Sequence, residues 1–353
     1  MAKESKRPTI RDVALYAHVS IATVSRALSS SEHPMNEALR ERVCRAAAEL
    51  GYQPNIAAQL LRKNGSADIG LIIPNISNPF YLQALSGIDA VMSEKGYMFV
   101  LCNTERDALK EREYLLQLYR RQALGAIISP VDTSPDTINQ YVEKGLKIVL
   151  LDQQIRGAKC PMISFDTRGS GKLAANYLLK LGHRRIAFAT TPLSRWTRQE
   201  IYTGYQEALV QAEIVPDNQY LFVADPPNDY YGNDIELTAG TMAGTAFVEA
   251  RCDATAIICI NDMVAFGVIQ ALIQHGIRVP DDVSVMGFDD IPFSSVYSPT
   301  LTTVRHPSEQ TGRLAAMMLM DSFSSNKGLD PLAMQLTPQL IVRQTTAVRD
   351  SKE

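Results

Sequence analysis

Carboxylate, amide and hydroxyl side chains follow several short apolar runs of this sequence, at positions where strands of a sheet would end. In parallel α/β folds, a ligand binds at the carboxyl ends of the strands. Such polar groups hydrogen-bond to hydroxyls of a ligand, and an aromatic ring can cover an apolar ring face. The pattern favours a small polyhydroxylated ligand, contacted by Asn78, Phe80, Ser129, Asp152, Trp196, Asn261 and Asp289.

The same residue types also have a purely structural role. Asp and Asn are common in loops and cap the helix that follows. For Asp262, which directly precedes Met263, helix capping is the favoured interpretation. For Asp289, contact with the ligand is favoured.

Motifs typical of an enzyme are missing from the sequence. The stretch Gly169-Ser-Gly-Lys172 lacks the leading glycine and the following Ser or Thr of a phosphate-binding loop, so we expect a helix to begin there. The five histidines show no metal-ligand spacing, and no Gly-x-Ser-x-Gly motif accompanies a triad. We therefore expect no catalysis, no cofactor and no bound metal.

The cysteines and the N-terminus indicate a cytoplasmic protein. The five cysteines are widely spread and form no Cys-x-x-Cys pair, which is typical of reduced thiols. The first residues lack the apolar segment of an export signal. No run approaches the roughly 18 apolar residues of a transmembrane helix, so no membrane contact is expected.

The charge is distributed unevenly along the 353 residues, whose formal net charge is −3. Residues 1–65 contain ten Lys or Arg and six Asp or Glu, a net of +4, which leaves 25 basic and 32 acidic residues, a net of −7, for the remainder. This asymmetry favours a small basic module attached to an acidic globular body. A segment with this charge also arises by chance, so charge alone leaves nucleic-acid binding open.

Three short amphipathic helices are predicted within residues 1–50. Thr9, Ser20 and Asn36 are suitable N-caps, and the second helix would begin directly after the turn at His18. Two helices joined by a tight turn are typical of a helix-turn-helix, although any small helical domain can contain such a pair. In the DNA-binding interpretation, base edges and phosphates are contacted from Thr9, Ser20, Ile21, Ala22, Thr23, Ser25 and Arg26.

From residue 68 onward, short apolar runs alternate with amphipathic stretches. This alternation predicts parallel strands joined by helical crossovers, in one sheet or in two. The predicted strands are Ile69–Ile73, Tyr97–Cys102, Ala126–Ser129, Ile148–Leu151, Ile186–Ala189, Ala256–Ile260 and Val283–Phe288. The predicted helices are Tyr81–Lys95, Glu111–Gln122, Gly169–Leu181, Gln199–Ala212 and Met263–His275.

Seven collinear segments closely resemble the LacI/GalR (lactose-repressor) family of bacterial transcriptional regulators. The longest is TIRDVALYAHVSIATVSRAL at 9–28, with His18 where the family usually has glycine. The others are ELGYQPN at 49–55, IGLIIPNISNPF at 69–80, LGHRRI at 181–186, CINDMVAFG at 259–267, VPDDVSVMGFDD at 279–290 and LTTV at 301–304.

The resemblance implies an α/β protein with a three-helix helix-turn-helix headpiece at 1–50 and a hinge helix at 51–65. It implies a core at 66–353, built from two Rossmann-like subdomains of the periplasmic-binding-protein type. The N-subdomain would contain about 66–165 and 293–325, and the C-subdomain about 166–292 and 326–345. The chain would thus cross between subdomains near 165, 292 and 325.

The resemblance also implies roles for individual residues. Two hinge segments would pair over the minor groove of DNA, with Leu61 inserted between base pairs and Asn55, Ala58 and Arg62 near the groove or its phosphates. A plain linker in which Leu61 packs on the body is the alternative. In the core, Asp152, Asn261 and Asp289 would contact an effector.

One departure from the family pattern concerns the effector site. The family usually has an effector-binding Arg where this chain has Ile201, and Arg198 lies one helical turn earlier on the same face. Arg195 matches an effector-binding Arg of purine-binding members. Because Arg is suited to carboxylate and phosphate, an acidic sugar or sugar phosphate is one expected ligand class.

The expected function is therefore sequence-specific regulation of transcription. A homodimeric repressor would bind a pseudo-palindromic operator on double-stranded DNA, and a sugar or sugar acid between the subdomains would control its affinity. A dimer is expected because the sequence ends without the leucine-heptad tail of tetrameric members. A corepressor-type regulator responding to a purine or another metabolite is the alternative, followed by a solute-binding protein.

Overall fold

The computed structural model describes residues 8–28, 35–52, 68–226, 235–324 and 331–349. The chain divides into two compact units, Met1–Ala67 and Asp68–Glu353. Each unit has its own hydrophobic clusters, so each is described separately.

The described part of the first unit contains three helices, α1 (Ile10–Tyr16), α2 (Ile21–Ala27) and α3 (Glu37–Glu49). Ser20 caps α2 by accepting a hydrogen bond from the Thr23 N–H, as the sequence predicted. His18 has a φ of 50°, the left-handed conformation that favours glycine and that His tolerates better than most residues. The helices enclose a small core of Val13, Ala14, Ala17, Val24, Ala27, Val43, Ala46 and Ala47.

The second unit contains two six-stranded sheets among its described residues. The first sheet is parallel throughout and has the order β11-β5-β4-β3-β1-β2. Its strands are β1 (Ile69–Ile73), β2 (Val100–Asn103), β3 (Gly125–Ile128), β4 (Lys147–Leu151), β5 (Met162–Phe165) and β11 (Ala333–Leu336).

The second sheet has the order β12-β10-β9-β8-β6-β7. Only its edge strand β12 runs antiparallel to its neighbour. Its strands are β6 (Ile186–Thr190), β7 (Leu221–Val223), β8 (Ala256–Cys259), β9 (Ser284–Asp289), β10 (Thr302–Arg305) and β12 (Gln339–Ile341).

Helices pack on the two sheets and produce two Rossmann-like subdomains, as the resemblance implied. Those of the first subdomain are α4 (Pro79–Glu94), α5 (Ala108–Arg120), α6 (Pro135–Glu143) and α11 (Ser308–Ser324). Those of the second are α7 (Thr167–Lys180), α8 (Trp196–Gln211), α9 (Ile235–Glu249) and α10 (Asp262–Gln274). The helix α7 begins where the phosphate-loop-like sequence lies, and Asp166 accepts from the Gly169 N–H at its start.

Two of the expected subdomain crossings, near 292 and 325, are wrong. Strand β10 pairs in parallel with β9, so the chain stays in the second subdomain until Arg305 and leaves it just before α11. Strand β11 pairs in parallel with β5, so the chain remains in the first subdomain through Leu336 and only then crosses back to β12. Both strands are four residues long and have no apolar run that would mark them in the sequence. They are recognised as strands only by their pairing with other strands of the sheet.

Three helix pairs of the second unit meet backbone to backbone, because each partner has a glycine at the crossing. A Cβ on any of these glycines would overlap a carbonyl oxygen of the opposite helix, which leaves room only for glycine. The pairs are Gly87 with Gly312 (α4 and α11), Gly171 with Gly204 (α7 and α8), and Gly240 with Gly267 (α9 and α10).

We predict that Gly204→Ala lowers the free energy of unfolding by about 2–3 kcal/mol, because an added Cβ would overlap the Arg168 carbonyl and separate α7 from α8. At a helix position with free space, the same change would stabilise by up to about 1 kcal/mol. Urea denaturation measures the difference. Val210→Ala, at an exposed site of α8, is the control and should change stability by less than about 0.5 kcal/mol. Equal or higher stability of Gly204→Ala would contradict the close crossing.

Candidate ligand cleft and DNA-binding helices

A cavity lies between the two subdomains, at the carboxyl ends of their strands. Seven of the predicted effector residues line it: Asn78, Phe80, Asp152, Arg195, Arg198, Asn261 and Asp289. The other lining residues are Tyr81, Thr167, Thr197, Ile201, Glu236, Ile260 and His306. We call this set the ligand cleft. Ser129 lies directly behind it, and Trp196 is not among the lining residues.

Arg195, at the start of α8 in the second subdomain, reaches across the cleft to the first. Its Nη1 donates to the Tyr81 hydroxyl at 3.2 Å, and its Nη2 approaches Ser129 Oγ at 3.3 Å and Asp152 Oδ2 at 3.4 Å. These are long distances for charge-assisted bonds, which are usually about 2.7–2.9 Å. The Nε of Arg195 is buried and has no hydrogen-bond partner among the described residues.

A second cross-link joins Glu236 of α9 to the first subdomain. Its Oε1 accepts from Arg106 Nη2 at 2.6 Å, and its Oε2 accepts from Asn78 Nδ2 at 2.6 Å. Asn78 also caps α4, because its Oδ1 accepts from the Phe80 N–H. Gln153 and Thr197 add a hydrogen bond of 2.7 Å across the same cleft. The cleft walls are thus joined by direct polar contacts at several points.

These contacts leave little room between the walls. The cavity volume is about 60 Å³, whereas small-molecule sites usually enclose about 300–1,000 Å³. A ligand the size of a monosaccharide therefore has to replace some of the cross-links between the subdomains when it binds.

Arg198 lies on the first turn of α8, and its guanidinium lines the cleft. Within the described residues, its hydrogen bond is from Nη1 to the Pro192 carbonyl at 3.1 Å, and no carboxylate lies within 4.0 Å of it. Burial lowers the pKa of Arg198 to about 10, with a further contribution from the neighbouring charges of Arg195 and Arg106. Arg198 thus remains charged at neutral pH.

Asp289 is connected to the crossing between β10 and α11 through His306. The Asp289 Oδ1 lies 3.1 Å from His306 Nδ1, and His306 Nε2 lies 3.1 Å from Ser170 Oγ. The Ser170 hydroxyl donates to the Asp166 carbonyl, so His306 Nε2–H donates to Ser170 Oγ. One proton is then shared between His306 Nδ1 and Asp289 Oδ1. Burial favours its position on Asp289, because burial raises the pKa of Asp289 and lowers that of His306 to about 4.

The rings around His306 come from both sheets. His306 stacks on Phe165 of β5 with ring centroids 4.6 Å apart and an interplanar angle of 9°, and on Phe288 of β9 at 6.0 Å. The cleft backbone is also strained, since Asp152 and Asp289 have φ values of 68° and 105°. Strain of this kind is concentrated at functional sites.

In the first unit, α2 presents several of the predicted DNA-contacting side chains to solvent. Ile21, Ala22 and Arg26 are exposed, Thr23 and Ser25 are half-buried, and Val24 and Ala27 face the core. Thr9, also exposed, hydrogen-bonds to Asp12 at the start of α1. The predicted hinge residues Asn55, Ala58, Leu61 and Arg62 lie outside the described residues.

The described parts of the chain contain no group of three or more His, Cys, Asp or Glu that could hold a metal ion. No helix in these parts has both the length and the hydropathy that a membrane span requires.

Comparison with known protein families identifies both units. Residues 9–55 match the family model "Bacterial regulatory proteins, lacI family". Residues 175–346 match the periplasmic binding protein-like domain. The ribose operon repressor of Halalkalibacterium halodurans is 32% identical over 345 residues, which cover 98% of this chain and 99% of the relative. The chain belongs to the LacI family of bacterial transcriptional regulators.

Other LacI-family proteins match over a similar extent. The repressor PurR of Photobacterium profundum is 28% identical, with coverage of 96% of this chain and 98% of the relative. The lac repressor dimer bound to operator and the anti-inducer ONPF has a TM-score of 0.83 and 26% identity, and covers 97% of this chain and all of that chain. A LacI-family regulator from Enterococcus faecium with bound ribose has a TM-score of 0.70 and 27% identity, and covers 80% of this chain and all of that chain.

This LacI-family chain is thus a DNA-binding transcriptional regulator with an effector cleft between two subdomains. Several cleft residues escaped the sequence-based prediction, namely Tyr81, Thr167, Thr197, Glu236 and His306. The sequence-based prediction selected polar residues that directly follow an apolar run. Glu236 and His306 follow no such run, so they were not selected. Thr167 follows β5, which was not predicted as a strand.

The carboxylate of Asp262 does not line the cleft. Asp262 is fully buried and accepts from the Ile291 N–H, Ser294 Oγ and Thr303 Oγ1 at 2.5–3.0 Å. Asn261, rather than Asp262, supplies the side-chain cap of α10 by accepting from the Val264 N–H. Burial raises the pKa of Asp262 to about 8.

We predict that Asp262→Ala lowers the free energy of unfolding by about 3 kcal/mol, because it leaves buried donors without an acceptor. Asp281→Ala, at an exposed acidic site, is the control and should cost less than about 1 kcal/mol. Urea denaturation of the full chain measures both. A cost of Asp262→Ala no greater than that of the control would contradict the buried network.

The raised pKa of Asp262 also predicts a pH dependence. The folded protein favours the protonated acid, so this contribution to stability is present below pH ~4 and is lost as the pH rises through 8. Asp262→Asn removes the titration and retains much of the polar network. The stability of the wild type relative to Asp262→Asn should therefore fall between pH 5 and pH 8. A constant difference over this range would show that Asp262 does not titrate there.

Proposed function

We propose that this regulator is a homodimeric repressor that binds a pseudo-palindromic operator and has no enzymatic activity. The observation that supports effector control most directly is the set of polar cross-links between the subdomains at Arg195 and Glu236. A ligand in the cleft would replace these cross-links and change the angle between the subdomains. The hinge segment containing Asn55, Ala58, Leu61 and Arg62 would transmit that change to operator affinity.

We propose that α2 is the recognition helix, which contacts base edges in the major groove of the operator. Its exposed residues are short or apolar apart from Arg26, which suits a helix that lies close to base edges in the major groove. The side chains of Ser20 and Thr23 hydrogen-bond to each other at the start of α2, where hydroxyls and N–H groups suit phosphate oxygens. The acidic body would be repelled by DNA, which favours contact through the headpiece.

The proposed effector is a sugar or a sugar acid. The cleft combines carboxylate, amide and guanidinium groups with the edge-to-face ring pair of Phe80 and Tyr81. Such a lining suits a ligand with many hydroxyls. The ribose-bound relative and the ribose operon repressor support the same class.

We predict that Ala22→Glu reduces affinity for specific DNA at least ~30-fold, because it places a carboxylate on the exposed face of α2 that would meet base edges and phosphates. Operator duplexes are first selected from a random pool by the full chain, and affinity is then measured by fluorescence anisotropy at fixed salt.

Ala48→Glu makes the same change at an exposed position of α3 and should reduce affinity less than ~3-fold. If both variants lose the same affinity for DNA, or if Ala22→Glu loses none, α2 is not the recognition helix.

We also predict that a ligand of the proposed class changes operator affinity about 10-fold or more, which is a typical coupling between two sites. Thermal-shift screening of the full chain with sugars, sugar acids and nucleobases finds the ligand, and anisotropy with the selected duplex measures the change. Operator binding that stays constant when every stabilising ligand is saturating would reject effector control.

A further inference from the structure

We propose that the effector has a carboxylate or phosphate group and that Arg198 is the residue that selects for it. This inference rests on the proposed function, because it concerns the ligand of the same cleft. It narrows the ligand from sugars in general to those with a negative charge.

The first observation is the position of the Arg198 guanidinium. It lines the cleft, yet its hydrogen bond within the described residues uses a single one of five N–H donors, on the Pro192 carbonyl. No carboxylate in the described parts of the chain lies within 4.0 Å of it. A buried or half-buried arginine is normally paired with an anion, because desolvation of an unpaired charge is costly.

The second observation comes from the neighbouring Arg195. In the part of the chain that the structure describes, its Nε is buried without a hydrogen-bond partner, and its distances to Ser129 and Asp152 are long. The positive charges of Arg195 and Arg198 also disfavour each other electrostatically. An anion between the two guanidinium groups would accept the unused N–H donors and relieve this repulsion.

The charges that face the cleft support the same conclusion. Arg195 and Arg198 extend from α8, and Arg106 extends from the loop after β2. In the described part of the chain, the carboxylates opposite them are Asp152 after β4 and Glu236 on α9, while Asp289 and His306 share one proton and together have no net charge. These three cations and two anions of the described residues leave one positive charge, which a ligand with a single negative group balances.

The rest of the cleft suits the uncharged part of such a ligand. Thr167 Oγ1 is buried and has no hydrogen-bond partner within the described ranges, and Thr167 lines the cavity together with Asn261 and Asp289. These groups can hydrogen-bond to hydroxyls. The ligand would therefore lie with its acidic group at α8 and its hydroxyls towards the start of α7 and the end of β9.

The test compares matched charged and neutral sugars by isothermal titration calorimetry on the full chain. The pairs are gluconate with glucose, galacturonate with galactose, and ribose 5-phosphate with ribose. We expect at least one charged member to bind ~10-fold or more tightly than its neutral partner. Gluconate and galacturonate test recognition of a carboxylate, and ribose 5-phosphate tests recognition of a phosphate.

Variants then assign the selectivity to Arg198. Arg198→Gln should reduce the affinity of the preferred charged sugar ~10-fold or more and leave that of its neutral partner within ~3-fold. Arg198→Lys, which retains the charge without the planar group, should lie between Arg198→Gln and the wild type. Arg184→Gln, at an exposed position, is the matched control and should behave as the wild type. Thermal unfolding verifies that each variant is folded.

The proposal is overturned if no charged sugar binds more tightly than its neutral partner, or if Arg198→Gln and Arg184→Gln reduce its affinity equally. Specific DNA binding is measured on the same samples by anisotropy. Neutral sugars that bind and alter operator affinity would leave the proposed function intact while rejecting the anionic effector. If no ligand that binds the protein changes its affinity for the operator, the proposed function itself is rejected.

Discussion

The ion pair between Arg195 and Asp152 connects the two halves of the core across the ligand cleft. Asp152 follows β4 of the first subdomain and Arg195 directly precedes α8 of the second, so the pair forms only when the subdomains are close. Its distance of 3.4 Å is longer than that of Arg106 with Glu236, at 2.6 Å. The looser pair is the one next to the unused donors of Arg195 and Arg198. A ligand can therefore exchange with it at a smaller loss of polar contact than at Glu236.

The subdomains are suited to move as rigid bodies because their helices meet at glycines. Backbone contact at Gly87 with Gly312, and at Gly171 with Gly204, leaves no flexible side chain to absorb a displacement. Close-packed interiors transmit shifts rather than deform gradually. Movement is then confined to the three short crossings between the sheets. His306 lies on one of them, between an aromatic ring of each sheet, and shares a hydrogen bond with Asp289 in the cleft.

The elements that the sequence predicted correctly share one property, which is a continuous apolar run or a regular amphipathic period. Strands β1, β3, β4, β6, β8 and β9 are of this kind and lie in the sheet interiors, where both faces are buried. Strands β5, β7, β10, β11 and β12 were not predicted, because each is only three or four residues long and has no long apolar run. The two incorrect subdomain crossings follow from the omission of β10 and β11.

The same contrast, between features marked by a local sequence pattern and features that depend on distant partners, applies to the cleft and to the protein as a whole. The sequence by itself determined the helix-turn-helix, the parallel strands with helical crossovers and the polar residues at strand ends, because each depends on local periodicity. Contiguous motifs determined the resemblance to the family, and that resemblance implied the two subdomains. Only the tertiary structure decided that Glu236 pairs with Arg106, 130 residues away, and that His306 lies within hydrogen-bond distance of Asp289. It also decided that Arg198 lines the cleft with no carboxylate of the described residues within 4.0 Å. Such contacts join elements far apart in the chain, and no local pattern of residue types specifies which of many acids and bases will meet.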